Sequence, residues 1–222
     1  MNAQQQNQNS EGKKQLLHLL LHLRIMKKLG ILVSHRGSNF QAIIDACNEG
    51  RINAKIVIAV SNNSHSEGLE RARRENIETA HISNKTHSDP VNLDASMAAL
   101  FEAHDVDMIV TAGYMKRLGH ITLEKYSRRI LNVHPSLLPK HGGKGMYGMR
   151  VHEAVIEAGD KESGITIHWL DNQYDTGPII AQKKVAVLPS DTASSLAGRI
   201  LVEEHKLLVT TLAKLTNDGE SP

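Results

Sequence analysis

From Leu29 onward, short β-branched runs alternate with stretches of helical periodicity, and this alternation restricts the chain to βαβ units around a largely parallel sheet. The strand candidates are Leu29 to Ser34, Lys55 to Ser61, Thr79 to Ile82, Met108 to Ala112, Ile130 to His134, Gly164 to Leu170 and Ile179 to Val187. Between them, apolar spacing predicts helices over Asn39 to Asn48, Gly68 to Glu75, Leu93 to His104, Val151 to Ala158 and Thr192 to Leu215, the last with Asp191 as its N-cap. The expected fold class is therefore α/β: an open, mostly parallel, Rossmann-like sheet of about seven strands flanked by helices. No repeat and no linker interrupts residues 29–216, which are expected to form one domain, with 217–222 as a tail.

Residues 1–28 are read as a disordered extension. Met1 to Gly12 is rich in Gln and Asn and has no apolar pattern to offset its ordering entropy. The run Leu16 to Leu23 is too short to span a bilayer and is broken by histidines, so neither signal peptide nor membrane anchor is expected. Met26, directly before a Lys-Lys pair, reads as an alternative native start. The 222 residues, 40% of them hydrophobic, suffice for a substantial core. Charge is nearly balanced, with 26 Lys+Arg against 24 Asp+Glu, so no general field draws nucleic acid or a membrane surface, and neither is an expected partner. Cys47 is the one cysteine; it excludes an internal disulfide framework and fits a reducing compartment, for which cytoplasm is the default.

Three segments carry candidate chemistry. Ser34-His35-Arg36-Gly37-Ser38-Asn39 joins the first strand to the first helix, where free amides and the helix dipole attract an anion such as phosphate. It lacks both G-x-G-x-x-G and G-K-[ST], which weakens NAD and ATP readings. The bland alternative is an ordinary turn in which Ser38 caps the helix. Second, Asn132-Val133-His134-Pro135 ends a buried-looking strand: period two sets Asn132 and His134 on one face, and Pro135 keeps His134 extended, at the edge where open α/β sheets bind ligands. A structurally satisfied histidine is the competing explanation. Third, the loop Asp171 to Pro178 offers two carboxylates, either of which would raise the pKa of His134 if brought beside it and make it a general acid. Alternatively Asp175 merely caps its own turn.

Other features favour plain roles. His152-Glu153 lacks the second histidine of H-E-x-x-H, so no metal site is expected. Cys47 has no evident partner and reads as a core residue, and Glu70 to Arg74 as a solvated helix face. Gly142 to Gly148 is glycine-rich and suits either a lid or a surface excursion.

Taken in order, Gly37-Ser38-Asn39 with Gln41 to Ile44, Ala112-Gly113-Tyr114-Met115, Asn132 to Pro139 and Asp175-Thr176-Gly177-Pro178 resemble the glycinamide ribonucleotide formyltransferase family from about Leu29 to about Leu215. The resemblance implies transfer of a formyl group from 10-formyltetrahydrofolate, a cosubstrate, to the primary amine of glycinamide ribonucleotide in purine biosynthesis, without a metal. It implies Asn132, His134 and Asp175 as the catalytic set; Gly37, Ser38 and Asn39 on the substrate phosphate; Glu204 on its ribose; and Met115, Lys116, Arg117, Leu118 and Asn132 along the folate. Two departures stand out. His35-Arg36 replaces the small or Gly-containing residues usual before Gly-Ser-Asn, and the loop His141 to Met149 is longer than in one form of the family, although its Gly-Gly-Lys-Gly-Met-Tyr-Gly segment looks like that of another bacterial branch. The family's arginine for the folate tail has no clear match around Lys85 to Pro90.

Four rivals remain. A formyltetrahydrofolate hydrolase would be expected to carry a regulatory domain ahead of Leu29. A methionyl-tRNA formyltransferase would be expected to carry a C-terminal RNA-binding domain, and a sugar-nucleotide enzyme to be larger. A noncatalytic sensor of phosphate ligands on the same fold is the rival from another class.

Overall fold

The computed structural model describes residues 26–217; the expectations for the extension before residue 26 and for residues 218–222 lie outside the described residues. Seven strands and six helices follow in chain order: β1 (Lys27–Leu32), α1 (Ser38–Asn48), β2 (Ala54–Ser61), α2 (Glu67–Arg74), β3 (Glu78–His81), α3 (Pro90–Ala103), β4 (Met108–Thr111), α4 (His120–Lys125), β5 (Ile130–His134), α5 (Met149–Glu157), β6 (Glu162–Trp169), β7 (Ile179–Ala186) and α6 (Ala193–Asn217). Strand order is β3-β2-β1-β4-β5-β6-β7. The first five pair in parallel, whereas β6 runs antiparallel to both β5 and β7. The sheet is thus mostly parallel, as its alternating sequence predicts.

The central parallel strands β1 and β4 are covered on both faces, which explains their largely apolar content, whereas β3 at the sheet edge reads Glu-Thr-Ala-His. Period two sends Leu29, Ile31 and Val33 into one layer with Phe40, Ile43 and Ile44 of α1, Leu69 of α2 and Leu208 and Leu212 of α6. Leu32, Ile58, Val60 and Ile109 enter the opposite layer with Met97 and Phe101 of α3 and Tyr126 after α4. Phe101 and Tyr126 meet edge-on, with ring centroids 6.0 Å apart. Burying such a side chain stabilises by about 1.5–3 kcal/mol each. A third cluster joins Val155 of α5, Ile165 of β6 and Leu196 and Ile200 of α6.

Three local features depart from the sequence reading. The short helix α4 has no apolar periodicity to announce it; it forms because buried Asp94 of α3 accepts from the amides of Ile121 (2.7 Å) and Thr122 (3.2 Å) and from the Thr122 hydroxyl (2.6 Å). At the start of α6 the cap is Thr192 rather than Asp191: the Thr192 hydroxyl accepts from the Ser195 amide at 3.2 Å. The Asp191 carboxylate instead accepts from Arg199 and the Leu188 amide, which hold it far below the usual carboxylate range. β1 also begins at Lys27, two positions before the expected Leu29, because Lys27 and Lys28 register with Ala54 and Lys55.

From β1 the chain winds outward through β2 to β3, then crosses to β4 on the other side of β1. The loops leaving the carboxyl ends of β1 and β4 therefore part in opposite directions, opening a cleft at the switch point.

Candidate active site

That cleft, of about 480 Å³, is lined by His35 to Asn39 from the β1–α1 loop, Asn63 and His65 to Glu67 from the β2–α2 loop, and Ala112, Gly113 and Met115 from the β4–α4 loop. Gly37 occupies the N-cap of α1 at φ 68°, ψ 39°, in the left-handed region, and a Cβ there would stand 3.0 Å from the Gly68 Cα. No side chain caps α1, so its first amides are left for solvent or an anion. Ser38 opens the helix instead of capping it. Asn39 donates through Nδ2 to Glu204 Oε1 at 2.8 Å, a bond across 165 positions of sequence. Both residues are buried, at 8% and 9% exposure, yet Asn39 Oδ1 has no partner among the described residues. Burial pushes the Glu204 carboxyl up to about 7, against the smaller opposing pull of the Asn39 bond.

A polar seam crosses the sheet beside the cleft. The antiparallel register sets Asn132 opposite His168 and His134 opposite Thr166, and β4 brings Thr111 alongside Asn132. The Thr111 hydroxyl donates to Asn132 Oδ1 at 2.5 Å. His168 Nδ1 lies 3.0 Å from the Trp169 carbonyl, which only accepts, so Nδ1 carries the proton and Nε2 is an acceptor. Asn132 Nδ2 donates to that Nε2 at 3.0 Å. The amide is thereby oriented from both ends, with one N–H left over. Burial holds the His168 pKa below its ordinary value, outweighing the Trp169 bond and the Asp175 charge, and keeps the ring a neutral acceptor.

His134 is tied in the same way. Its Nε2 donates to the His141 carbonyl at 2.8 Å, leaving Nδ1 facing Asp175 Oδ1 at 3.7 Å. Asp175 Oδ1 also stands 3.7 Å from His168 Nε2, and its Oδ2 accepts from the Gly143 amide at 2.8 Å. One carboxylate thus lies between two imidazoles and pins the glycine-rich loop. Asp175 takes φ 57°, a left-handed conformation sustained by these contacts. Gly177 follows because a Cβ there would fall 1.9 Å from the Trp169 carbonyl oxygen. Asp171 does the turn-capping: its carboxylate accepts from the Gln173 amide and the Thr176 hydroxyl, both at 2.9 Å. The question left open between the two acids resolves to Asp175 as the neighbour of His134. Buried His152 of α5 stays neutral as well, its pKa lowered by burial and then by the nearby His134.

Gly37, Ser38 and Asn39 line the cleft, with Glu204 bonded to Asn39; Asn132, His134 and Asp175 form a second group, joined through Thr111 to the carboxyl end of β4, and are not among the residues lining the cleft. Met115 lines the cleft, and Lys116 is exposed on the same loop. Arg117 donates to the Asn172 carbonyl and lies 5.6 Å above the Tyr174 ring, bridging to the Asp171–Asp175 loop. Leu118 turns inward to the apolar layer with Phe101, so only its backbone remains for a ligand. Sequence reasoning missed His168, Thr111 and His141. The Gly164–Leu170 strand assignment contains His168, but only the antiparallel register places it beside Asn132. Among the described residues no cluster of three or more His, Cys, Asp or Glu is arranged to hold a metal, and no helix is long and apolar enough to cross a membrane.

The family model for formyl transferase matches residues 27–212. The chloroplastic phosphoribosylglycinamide formyltransferase of Arabidopsis thaliana is 39% identical over 193 residues, covering 86% of this chain and 66% of that protein. The chain covers 62% of the Vigna unguiculata counterpart, so it spans just under two thirds of these plant relatives. Phosphoribosylglycinamide formyltransferase of Haemophilus influenzae is 38% identical, over 82% of this chain and 84% of that protein. Among solved structures, glycinamide ribonucleotide transformylase 1 of Symbiobacterium toebii superposes with a TM-score of 0.81 at 36% identity, over 87% of this chain and 89% of that one. The winding of the sheet, the polar seam at the carboxyl end of β5 and these similarities agree: the chain belongs to the formyl transferase family.

Proposed function

We propose that the chain transfers the formyl group of 10-formyltetrahydrofolate to the primary amine of glycinamide ribonucleotide in purine biosynthesis. The observation that carries this reading is the oriented Asn132 amide, held by Thr111 and His168 with one N–H unused, next to a His134 whose Nδ1 faces the Asp175 carboxylate. Donors fixed before reaction and aimed where charge develops are what acyl transfer requires.

The neutral amine attacks the formyl carbon, forming the new C–N bond while the carbonyl electron pair moves onto oxygen. The free Asn132 N–H and a His134 N–H, released from the His141 carbonyl, stabilise that oxygen, and Asp175 orients the His134 ring. As the carbonyl re-forms, the bond to the folate nitrogen breaks; the amine loses a proton and the departing nitrogen gains one. No covalent enzyme intermediate is involved. The α1 N-terminus at Gly37, Ser38 and Asn39 receives the substrate phosphate, Glu204 with the unpartnered Asn39 Oδ1 receives ribose hydroxyls, and Met115, Lys116, Arg117 and the Leu118 backbone follow the pterin. The single, half-buried cysteine and the small-molecule substrates favour the cytoplasm as the compartment.

The test is consumption of 10-formyltetrahydrofolate by the purified chain with and without glycinamide ribonucleotide. Transfer requires consumption only when the amine is present. Equal consumption in both arms would assign a hydrolase, and none in either arm a binding protein.

A further inference from the structure

Ser34 is a buried polar residue that the site described above leaves without a role. It follows β1 at 1% exposure, where a strand packed on both faces would otherwise place an apolar side chain. Its hydroxyl donates to Asn62 Oδ1 at 2.5 Å and accepts from the Met115 amide at 2.8 Å. Its own amide donates to the Gly113 carbonyl at 3.2 Å. Ser34 therefore grips the turn 113–115 at two points. That turn does not close on itself; it closes on the residue that opens the β1–α1 loop. Three residues later Gly37 begins the helix N-terminus, and both loops line one cleft.

We propose that Ser34 is a positioning residue coupling the two substrate subsites, so that each substrate binds more tightly when the other is present. The inference rests on the proposed roles of the two loops. An anion seated on the α1 N-terminus immobilises residues 34–39. Through the Ser34 hydroxyl and amide the same restraint reaches Gly113 and Met115, so the folate loop is already ordered when the second ligand arrives. Linkage makes the effect reciprocal: the factor by which glycinamide ribonucleotide improves folate affinity equals the factor in the other direction.

The experiment is calorimetric titration of the full chain with glycinamide ribonucleotide and with tetrahydrofolate, the non-transferring product, each alone and with the other saturating. Wild type is expected to show a factor of about fivefold or more, equal in both directions. Ser34→Ala, which removes the hydroxyl contact to Met115 but keeps the amide bond to Gly113, should cut the factor at least by half while the separate affinities change little, an outcome that a general loss of stability would not produce. Hydrogen exchange provides a second readout: the Met115 amide should slow when glycinamide ribonucleotide alone is bound to wild type, and should not in Ser34→Ala. Should Ser34→Ala fail to fold, Asn62→Ala decides, because it frees the hydroxyl rotor and leaves the Met115 bond; it should give an intermediate factor. Independent binding by wild type, or an undiminished factor in whichever of the two variants folds, overturns the coupling while leaving the transfer reading intact. Absence of binding of either ligand to wild type overturns both.

Discussion

Glu204 links the candidate site to the pH dependence of stability. Its carboxyl is buried with Asn39 Nδ2 as its hydrogen-bonding partner, and burial raises its pKa to about 7 from an ordinary 4.5. The folded state thus binds this proton more tightly than the unfolded chain does. A raised folded pKa contributes stability that is fully present below the unfolded value and is lost as pH rises through the folded value. The interval from 4.5 to about 7 corresponds to a loss of about 3 kcal/mol between acid and pH 8, at about 1.4 kcal/mol per pH unit. Glu204→Gln keeps the size of the protonated acid and its carbonyl acceptor for Asn39, but cannot ionise. Urea unfolding of both proteins should give nearly equal stabilities at pH 4.5, with the variant ahead by up to about 3 kcal/mol at pH 8. That gap is a midpoint difference of about 1 M or more at an m-value of about 1–3 kcal/mol/M. Comparison with the variant cancels the other titrating groups. A stability difference that stays constant from pH 4.5 to pH 8 would refute the burial argument.

Asn132→Ala removes the spare N–H and should lower kcat by about 10²–10³ with little change in substrate affinity, measured by steady-state kinetics beside direct titration; unchanged kcat would exclude it as an oxyanion donor. Asp175→Asn removes the carboxylate that faces His134 Nδ1 at 3.7 Å and accepts from the Gly143 amide, so kcat should fall by about tenfold or more in steady-state kinetics, whereas Asp171→Asn, altering only its own turn, should change it little; equal losses would refute the distinction between the two acids. The double variant His134→Ala/Asp175→Asn should be scarcely slower than His134→Ala, and fully multiplicative losses would place Asp175 outside the unit. Gly177→Ala forces a Cβ to within 1.9 Å of the Trp169 carbonyl, so its thermal midpoint should drop by several degrees; an unchanged midpoint would mean the loop relaxes at no cost.

What the sequence disclosed follows from the range of the forces involved. Strand β5 lies at Ile130–His134 as its apolar run and Pro135 predict, because those signals are local. The reversal of β6 is not local: the segment between β5 and β6 holds a helix, as a parallel crossover would. His168 stayed hidden for this reason, since only the antiparallel register puts it opposite Asn132. α4 depends on a carboxylate 27 positions before it, and Glu204 meets Asn39 across 165 positions. Resemblance supplied Glu204 where periodicity offered no reason to select it. Leu118 shows the converse limit, because a motif assigned the position while packing turned the side chain away from the cleft.

Direct transfer of carbon between the two substrates is the central claim, and isotope tracing tests it most directly. The purified chain is incubated with 10-formyltetrahydrofolate labelled in the formyl carbon and with unlabelled glycinamide ribonucleotide, and the label is followed by mass spectrometry. The predicted result is label on the substrate's former amine nitrogen, in amounts equal to the tetrahydrofolate formed. Label recovered as free formate, with the amine unmodified, would contradict it.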